Sequence, residues 1–143
     1  MDELHRKGLS KMNEVYGWEM PDLPGDYFAM TVEHLFGTVW TRPELSMRDR
    51  RLLLLAVLTA LGQEDLLEIQ VNAALHNDEL TKDELREAAL FVTHYVGWPL
   101  GSKLNNAVER VLNKRKKAAE SGTGGDKKAT AGEVIAKAVG KQD

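Results

Sequence analysis

Ten consecutive residues near the middle of the chain, Leu52 to Leu61, are apolar except for Thr59. The run is far shorter than the ~20 residues needed to span a bilayer, so it reads as a buried helix. A helix without a polar face must be surrounded by protein. Leu52, Leu53, Leu54, Leu55, Val57, Leu58 and Leu61 therefore mark the centre of the core or of a subunit interface. Ser46, with Asp49 three residues on, resembles a capping box that opens this helix, and Gly62 can close it.

The rest of the chain follows the same periodicity. Val32, Leu35, Phe36, Val39 and Trp40 keep helical spacing up to Thr41-Arg42-Pro43, where the residue before proline is pushed out of the α region. A helix from about Glu64 to His76 is broken by Asn77-Asp78. Thr81 and Glu84 form a stricter capping box, followed by a stripe of Leu85, Ala88, Ala89, Val92, Tyr95 and Val96 that ends at Gly97. Pro99 suits the first turn of a last helix carrying Leu100, Leu104, Ala107, Val108, Val111 and Leu112. No strand pattern competes, which predicts an all-α fold in a single domain over residues 1–113.

Residues 114–143 are expected to form a basic, Gly/Ala/Lys-rich flexible tail, too poor in apolar residues to offset its ordering entropy. Thr130 with Glu133 can cap a brief helix there, bearing Val134, Ile135 and Val139. Residues 1–112 hold 11 Lys and Arg against 18 Asp and Glu, whereas residues 113–143 hold 8 against 4. An acidic body argues against nucleic acid as a partner. The N-terminus has no apolar stretch behind its charges, and with no spanning segment the expected location is cytoplasmic, away from membranes.

With no cysteine in 143 residues, disulfide scaffolds, Cys-ligated metals and thiol mechanisms are excluded. No glycine-rich nucleotide loop, nucleophile elbow or His-Glu-x-x-His motif is present, so no cofactor is implied. His5, His34, His76 and His94 lie far apart without i,i+4 pairing, and no metal site is expected.

The stretch Phe36-Gly37-Thr38-Val39-Trp40-Thr41-Arg42-Pro43-Glu44-Leu45, then Arg50 and the apolar helix, resembles the 4-carboxymuconolactone decarboxylase branch of the carboxymuconolactone decarboxylase family. Arg6-Lys7-Gly8, Leu61-Gly62-Gln63-Glu64-Asp65, Asn72-Ala73-Ala74-Leu75, Thr81 to Glu87 and Tyr95-x-Gly97-x-Pro99 follow in the family's order, so the resemblance covers roughly residues 3–113. It implies an all-α subunit in a homo-oligomer, a trimer or hexamer, with active sites lined by several helices near subunit contacts. It also implies a cofactor-free decarboxylase acting on a small carboxylated lactone such as 4-carboxymuconolactone, or on a related acid. The other branch of the family, the alkylhydroperoxidase D-like peroxidases, uses Cys-x-x-Cys, a following His and an upstream Glu. Here those positions are Gln63, Leu66, Gln70 and Arg51, so that peroxidase chemistry cannot operate.

The decarboxylase branch usually keeps a His where this chain has Gln70, and Gln cannot exchange a proton near neutral pH. A reaction relying on imidazole there must recruit another group, which leaves a non-catalytic oligomeric binding or scaffold protein as the alternative. Decarboxylation without a cofactor needs cations for the substrate carboxylates, a donor to polarise the developing enolate and an acid to protonate carbon. Arg42 and Arg50 are the expected carboxylate anchors and Trp40 a pocket wall or core residue. His34, His76, Tyr95 and Gln70 are the candidates for the catalytic positions; each also has a purely structural reading, as a helix-end cation, a packed ring or a semi-buried amide.

Overall fold

The computed structural model describes residues 2–121. They form α1 (Glu3–Tyr16), α2 (Asp26–Met30) running on into a π-helical segment (Thr31–Val39), α3 (Met47–Ala60), α4 (Glu64–His76), α5 (Lys82–Val96) and α6 (Trp98–Ser121). No strand occurs among them, as the periodicity predicts, and no helix among them is long and apolar enough to cross a membrane. The possible capped helix after Thr130 lies outside the described residues.

The caps read from sequence act as expected. Ser46 Oγ accepts from the Asp49 amide at 3.0 Å. Thr81 Oγ1 accepts from the Glu84 amide at 3.1 Å while the Glu84 carboxylate accepts from the Thr81 amide at 2.9 Å, a complete capping box. Asn77-Asp78 ends α4, with Asp78 at φ 55°, a left-handed conformation that Asp tolerates better than most residues.

Two apolar clusters make the core. Leu55, Leu67, Val71, Leu85, Leu104 and Val108 join α3 to α6, while Met12, Val15, Val32 and Phe36 join α1 to the π segment. In the single chain α3 is buried on one side, and its other side is the part the sequence left to a core or a subunit interface. Leu55 and Leu58 are buried, but Leu53, Val57 and Leu61, spaced four apart, are 57%, 53% and 65% exposed in the single chain. α5 differs from its expected stripe: the buried one is Leu85, Ala89 and Thr93, and Tyr95 lies off it.

The segment after Met30 reads as an α-helix by spacing and is π-helical instead, with the Trp40 amide bonded to the Leu35 carbonyl at 2.9 Å. The wider turn brings residues four apart into line, so Val32 and Phe36 are buried and Leu35 and Val39 face outward. α6 runs to Ser121, which corrects the tail boundary for its first eight residues. Ala118 is buried and Arg115 Nη1 donates to Asn72 Oδ1 at 3.0 Å, so the basic stretch is tied back to α4.

His5 holds the N-terminal half together. Its Nε2 meets Asp22 at 3.0 Å and its Nδ1 meets Glu33 at 3.2 Å, linking α1 to the loop before α2 and to the π segment. The hydrogen bond to Asp22, backed by Glu33, holds the imidazole pKa above its ordinary value and favours the charged ring.

Candidate active site

Two arginines open α3 side by side and serve opposite ends. Arg51 is fully buried. A charge so placed must be paired, and the break after α4 supplies the partner. Arg51 Nε donates to Glu79 Oε1 at 2.8 Å and Nη2 to Glu79 Oε2 at 3.0 Å, a bidentate pair. Nη1 donates to the Val15 carbonyl at 2.8 Å and also to Gln70 Oε1. Asn77 Nδ2 completes the knot, donating to the Glu14 carbonyl at 2.7 Å and to Glu79 Oε2 at 3.1 Å. The end of α1, the start of α3 and the end of α4 are thus tied by one polar network. With four of its five N–H groups committed and its charge matched by Glu79, Arg51 positions its neighbours and is not a free anion hook.

Gln70 is buried with its oxygen on Arg51, whereas its amide nitrogen has no hydrogen-bond partner among the described residues and keeps solvent contact. Tyr16, the last residue of α1, begins a row of rings. It lies 5.7 Å from Trp18 and 5.8 Å from Phe36, and Phe36 stacks on Trp40 at 6.2 Å. Burial pushes the Tyr16 phenol pKa up, with the Arg51 charge opposing, so the hydroxyl stays protonated near neutral pH. It too lacks a protein hydrogen-bond partner while touching solvent.

Arg50 turns the other way, past the far end of the ring row. Its Nη1 donates to the Arg42 carbonyl at 3.1 Å and the Leu45 carbonyl at 2.5 Å, pinning the turn between the π segment and α3. Among the described residues Arg42, with a side chain 60% exposed, has Glu44 as its nearest carboxylate at 3.9 Å, and Arg50 has none within that distance. Other arginines are paired closely: Arg48 with Glu84 at 2.6 Å, Arg86 with Glu109 at 2.8 Å and Arg110 with Glu68 at 2.9 Å. Arg42 and Arg50 thus bring two cations with spare donors to the turn that follows Trp40, a rim that can take an anion.

Trp40, Arg42 and Arg50 are therefore brought to one turn, whereas Gln70 lies in the Arg51 knot, and the ring row Tyr16–Phe36–Trp40 runs between the Val15 end of that knot and the turn. His76 is exposed at the end of α4, with its ring 3.7 Å from where a Cβ on Gly17 would stand, beside the end of α1. His34 is exposed on the π segment, and Tyr95, 80% exposed on α5, touches Phe91 at 5.3 Å. Among the described residues no hydrogen bond or ring contact joins His34, His76 and Tyr95 to one another or to Gln70. Sequence reasoning missed Tyr16 and the Arg51–Glu79 pair. The available signal was a charged residue at the head of a run with no polar face, which demands a buried partner.

By sequence this all-α chain falls in a class of proteins named as decarboxylases. The chain belongs to the carboxymuconolactone decarboxylase family, whose model matches residues 25–110. It is 32% identical over 119 residues to the 4-carboxymuconolactone decarboxylase of Acinetobacter baylyi, covering 78% of this chain and 88% of that one. It is 33% identical over 127 residues to a nitrosuccinic acid decarboxylase of Metarhizium robertsii, covering 78% and 86%. Both relatives carry decarboxylase names, which supports carboxy-lyase activity at the level of the family.

Proposed function

We propose that the protein is a cofactor-free decarboxylase of a small dicarboxylate whose departing carboxyl group stands next to an electron sink, a carboxylated lactone such as 4-carboxymuconolactone or a related acid. The observation that carries this reading is the pair Arg42 and Arg50 on one turn, whose nearest carboxylate among the described residues is Glu44, 3.9 Å from Arg42. The substrates named for the two relatives are a lactone and a nitro acid, each with carboxyl groups and an oxygen that can take up the electron pair left by CO2. On this reading Arg42 and Arg50 hold the retained carboxylate, and the face of Trp40 receives the body of the substrate. The C–CO2 bond breaks, its electron pair moves onto the carbonyl or nitro oxygen, and CO2 leaves. The carbon then takes a proton, a step Gln70 cannot perform. We assign proton return to His76, exposed like His34 and Tyr95 but lying beside Gly17 at the end of α1, next in sequence to Tyr16.

CO2 release from 4-carboxymuconolactone and from nitrosuccinate tests this directly. Arg42→Ala is expected to lower kcat/KM roughly 10- to 100-fold, the worth of one charge-assisted hydrogen bond, with the melting temperature unchanged because the side chain is exposed. Undiminished kcat/KM in Arg42→Ala overturns the clamp. No turnover of either acid by the wild type leaves the binding or scaffold reading.

The same reading includes a homo-oligomer, a trimer or hexamer, supported by the apolar stripe Leu53, Val57 and Leu61 left bare on α3. Desolvating a lysine at the centre of such a contact is costly. In analytical ultracentrifugation the wild type is expected to sediment as an oligomer and Val57→Lys as a folded monomer; a monomeric wild type refutes the assembly.

A further inference from the structure

We propose that the Tyr16 hydroxyl and the Gln70 side-chain amide form an oxyanion site, two donors that receive the oxygen onto which the C–CO2 electron pair moves. This rests on the decarboxylase reading above and adds a residue, Tyr16, to it. One atom ties the two segments that carry the donors. Arg51 Nη1 donates both to the carbonyl of Val15, the residue before Tyr16, and to Gln70 Oε1. Residues 15 and 70 therefore flank a single guanidinium nitrogen, and Arg51 also acts through its charge on the Tyr16 phenol. Its own charge is matched by Glu79, so it acts as a positioning residue that also biases the spot toward negative charge.

The network fixes which end of the amide faces out. Arg51 offers only hydrogens, so the Gln70 oxygen must turn toward it and the N–H pair away. The Tyr16 ring is held between Trp18 and Phe36, which leaves its hydroxyl little freedom to wander. Buried polar groups nearly always find protein partners, and the polar atoms of this knot do so. The outward donors of Tyr16 and Gln70 have no acceptor among the described residues and keep contact with solvent instead. Pre-oriented donors with no protein acceptor are what a developing oxyanion requires, because nothing reorganises when the charge forms. Glutamine also explains itself here: an amide donates at every pH, whereas imidazole can arrive with its lone pair facing the anion.

In the step itself the C–C bond to the departing carboxylate breaks heterolytically, CO2 leaves with no charge, and the electron pair becomes an enolate or nitronate whose oxygen accepts from Tyr16 and Gln70. A proton then adds to carbon, the electron pair returns, and both donors keep their own hydrogens.

The test compares the wild type with Tyr16→Phe, which keeps the ring, and Gln70→Glu, which keeps an acceptor on Arg51 but loses the outward N–H. CO2 release from 4-carboxymuconolactone and nitrosuccinate is measured alongside calorimetric binding of two dianions, the nitronate of 3-nitropropionate and succinate. Each variant is expected to lose about 100-fold in kcat with KM changed less than about threefold. Nitronate binding should weaken at least about tenfold and succinate binding less, since only the nitronate has the planar, carbon-conjugated anion that loss of CO2 leaves. Wild-type turnover with both variants fully active keeps the decarboxylase reading and overturns the oxyanion site. Tyr16-dependent nitronate binding without turnover keeps the site and overturns the assigned substrates. A wild type that neither turns over nor binds the nitronate overturns both.

Discussion

Glu79→Ala is expected to destabilise the fold by about 3–5 kcal/mol, because it strands a guanidinium that is completely buried. The carboxylate accepts two hydrogen bonds from Arg51 and one from Asn77, so its removal leaves three donors without acceptors inside the knot. The loss spreads further than the pair. Arg51 also holds the carbonyl of Val15 and the amide of Gln70, and Asn77 holds the carbonyl of Glu14, so α1 loosens from α3 and α4 together. Urea unfolding should show the midpoint falling with little change in slope, and a scan should show the melting temperature dropping by roughly 10 °C or more. The double variant Arg51→Leu/Glu79→Leu separates the cost of an orphaned charge from the worth of the pair. Replacing a buried ion pair by apolar residues is often close to neutral, so the double variant should recover much of the stability lost in Glu79→Ala. Equal stability of Glu79→Ala and the wild type would mean that Arg51 reaches water, contrary to its burial.

Helices and their ends were legible because the information is local. Thr81 and Glu84 sit three apart on one turn and need nothing else to close their box. α3 was legible only in part. Periodicity registers that Leu53, Val57 and Leu61 are apolar, but whether they meet their own chain or another is a tertiary fact, and in the single chain they are bare. The π segment was hidden for a different reason. Val32, Phe36 and Trp40, four apart, fit an α stripe and a π stripe equally well, and only the bond from the Trp40 amide to Leu35 tells them apart. α6 outran its apolar stripe because Arg115 finds Asn72 and Ala118 is buried, contacts between residues more than 40 apart in sequence for the first of these. At the candidate site the sequence marked Arg42, Arg50, Trp40 and Gln70 through family resemblance, whereas Tyr16 is made notable only by what surrounds it. A phenol at the end of an amphipathic helix looks like packing until the neighbours that would bond its hydroxyl prove to be absent.

Gly8→Ala tests the same corner of the molecule through the backbone. Gly8 is buried in α1 where that helix crosses the π segment, and a Cβ there would stand 1.9 Å from the Val32 carbonyl oxygen and 2.7 Å from its carbon. These are backbone atoms, so no rotamer relieves the overlap and the two elements must part. An alanine inside a helix gains about 1 kcal/mol over glycine in propensity, while overpacking costs about 1–3 kcal/mol and more where backbone must shift. Overlap this deep lies at the upper end of that range, and the net expectation is a loss of about 2–3 kcal/mol by urea unfolding. The functional consequence follows from the ring row. Tyr16 rides on α1 and Phe36 on the π segment, so moving one from the other opens the 5.8 Å contact that fixes the tyrosine hydroxyl, and it shifts Trp40 at the arginine rim. Fluorescence of Trp18 and Trp40 should change in the folded state, and decarboxylation should slow more than the stability loss alone accounts for at temperatures where the variant is fully folded. A gain of about 1 kcal/mol with unchanged fluorescence would show instead that α1 and the π segment are free to separate, and that the site does not depend on their close approach.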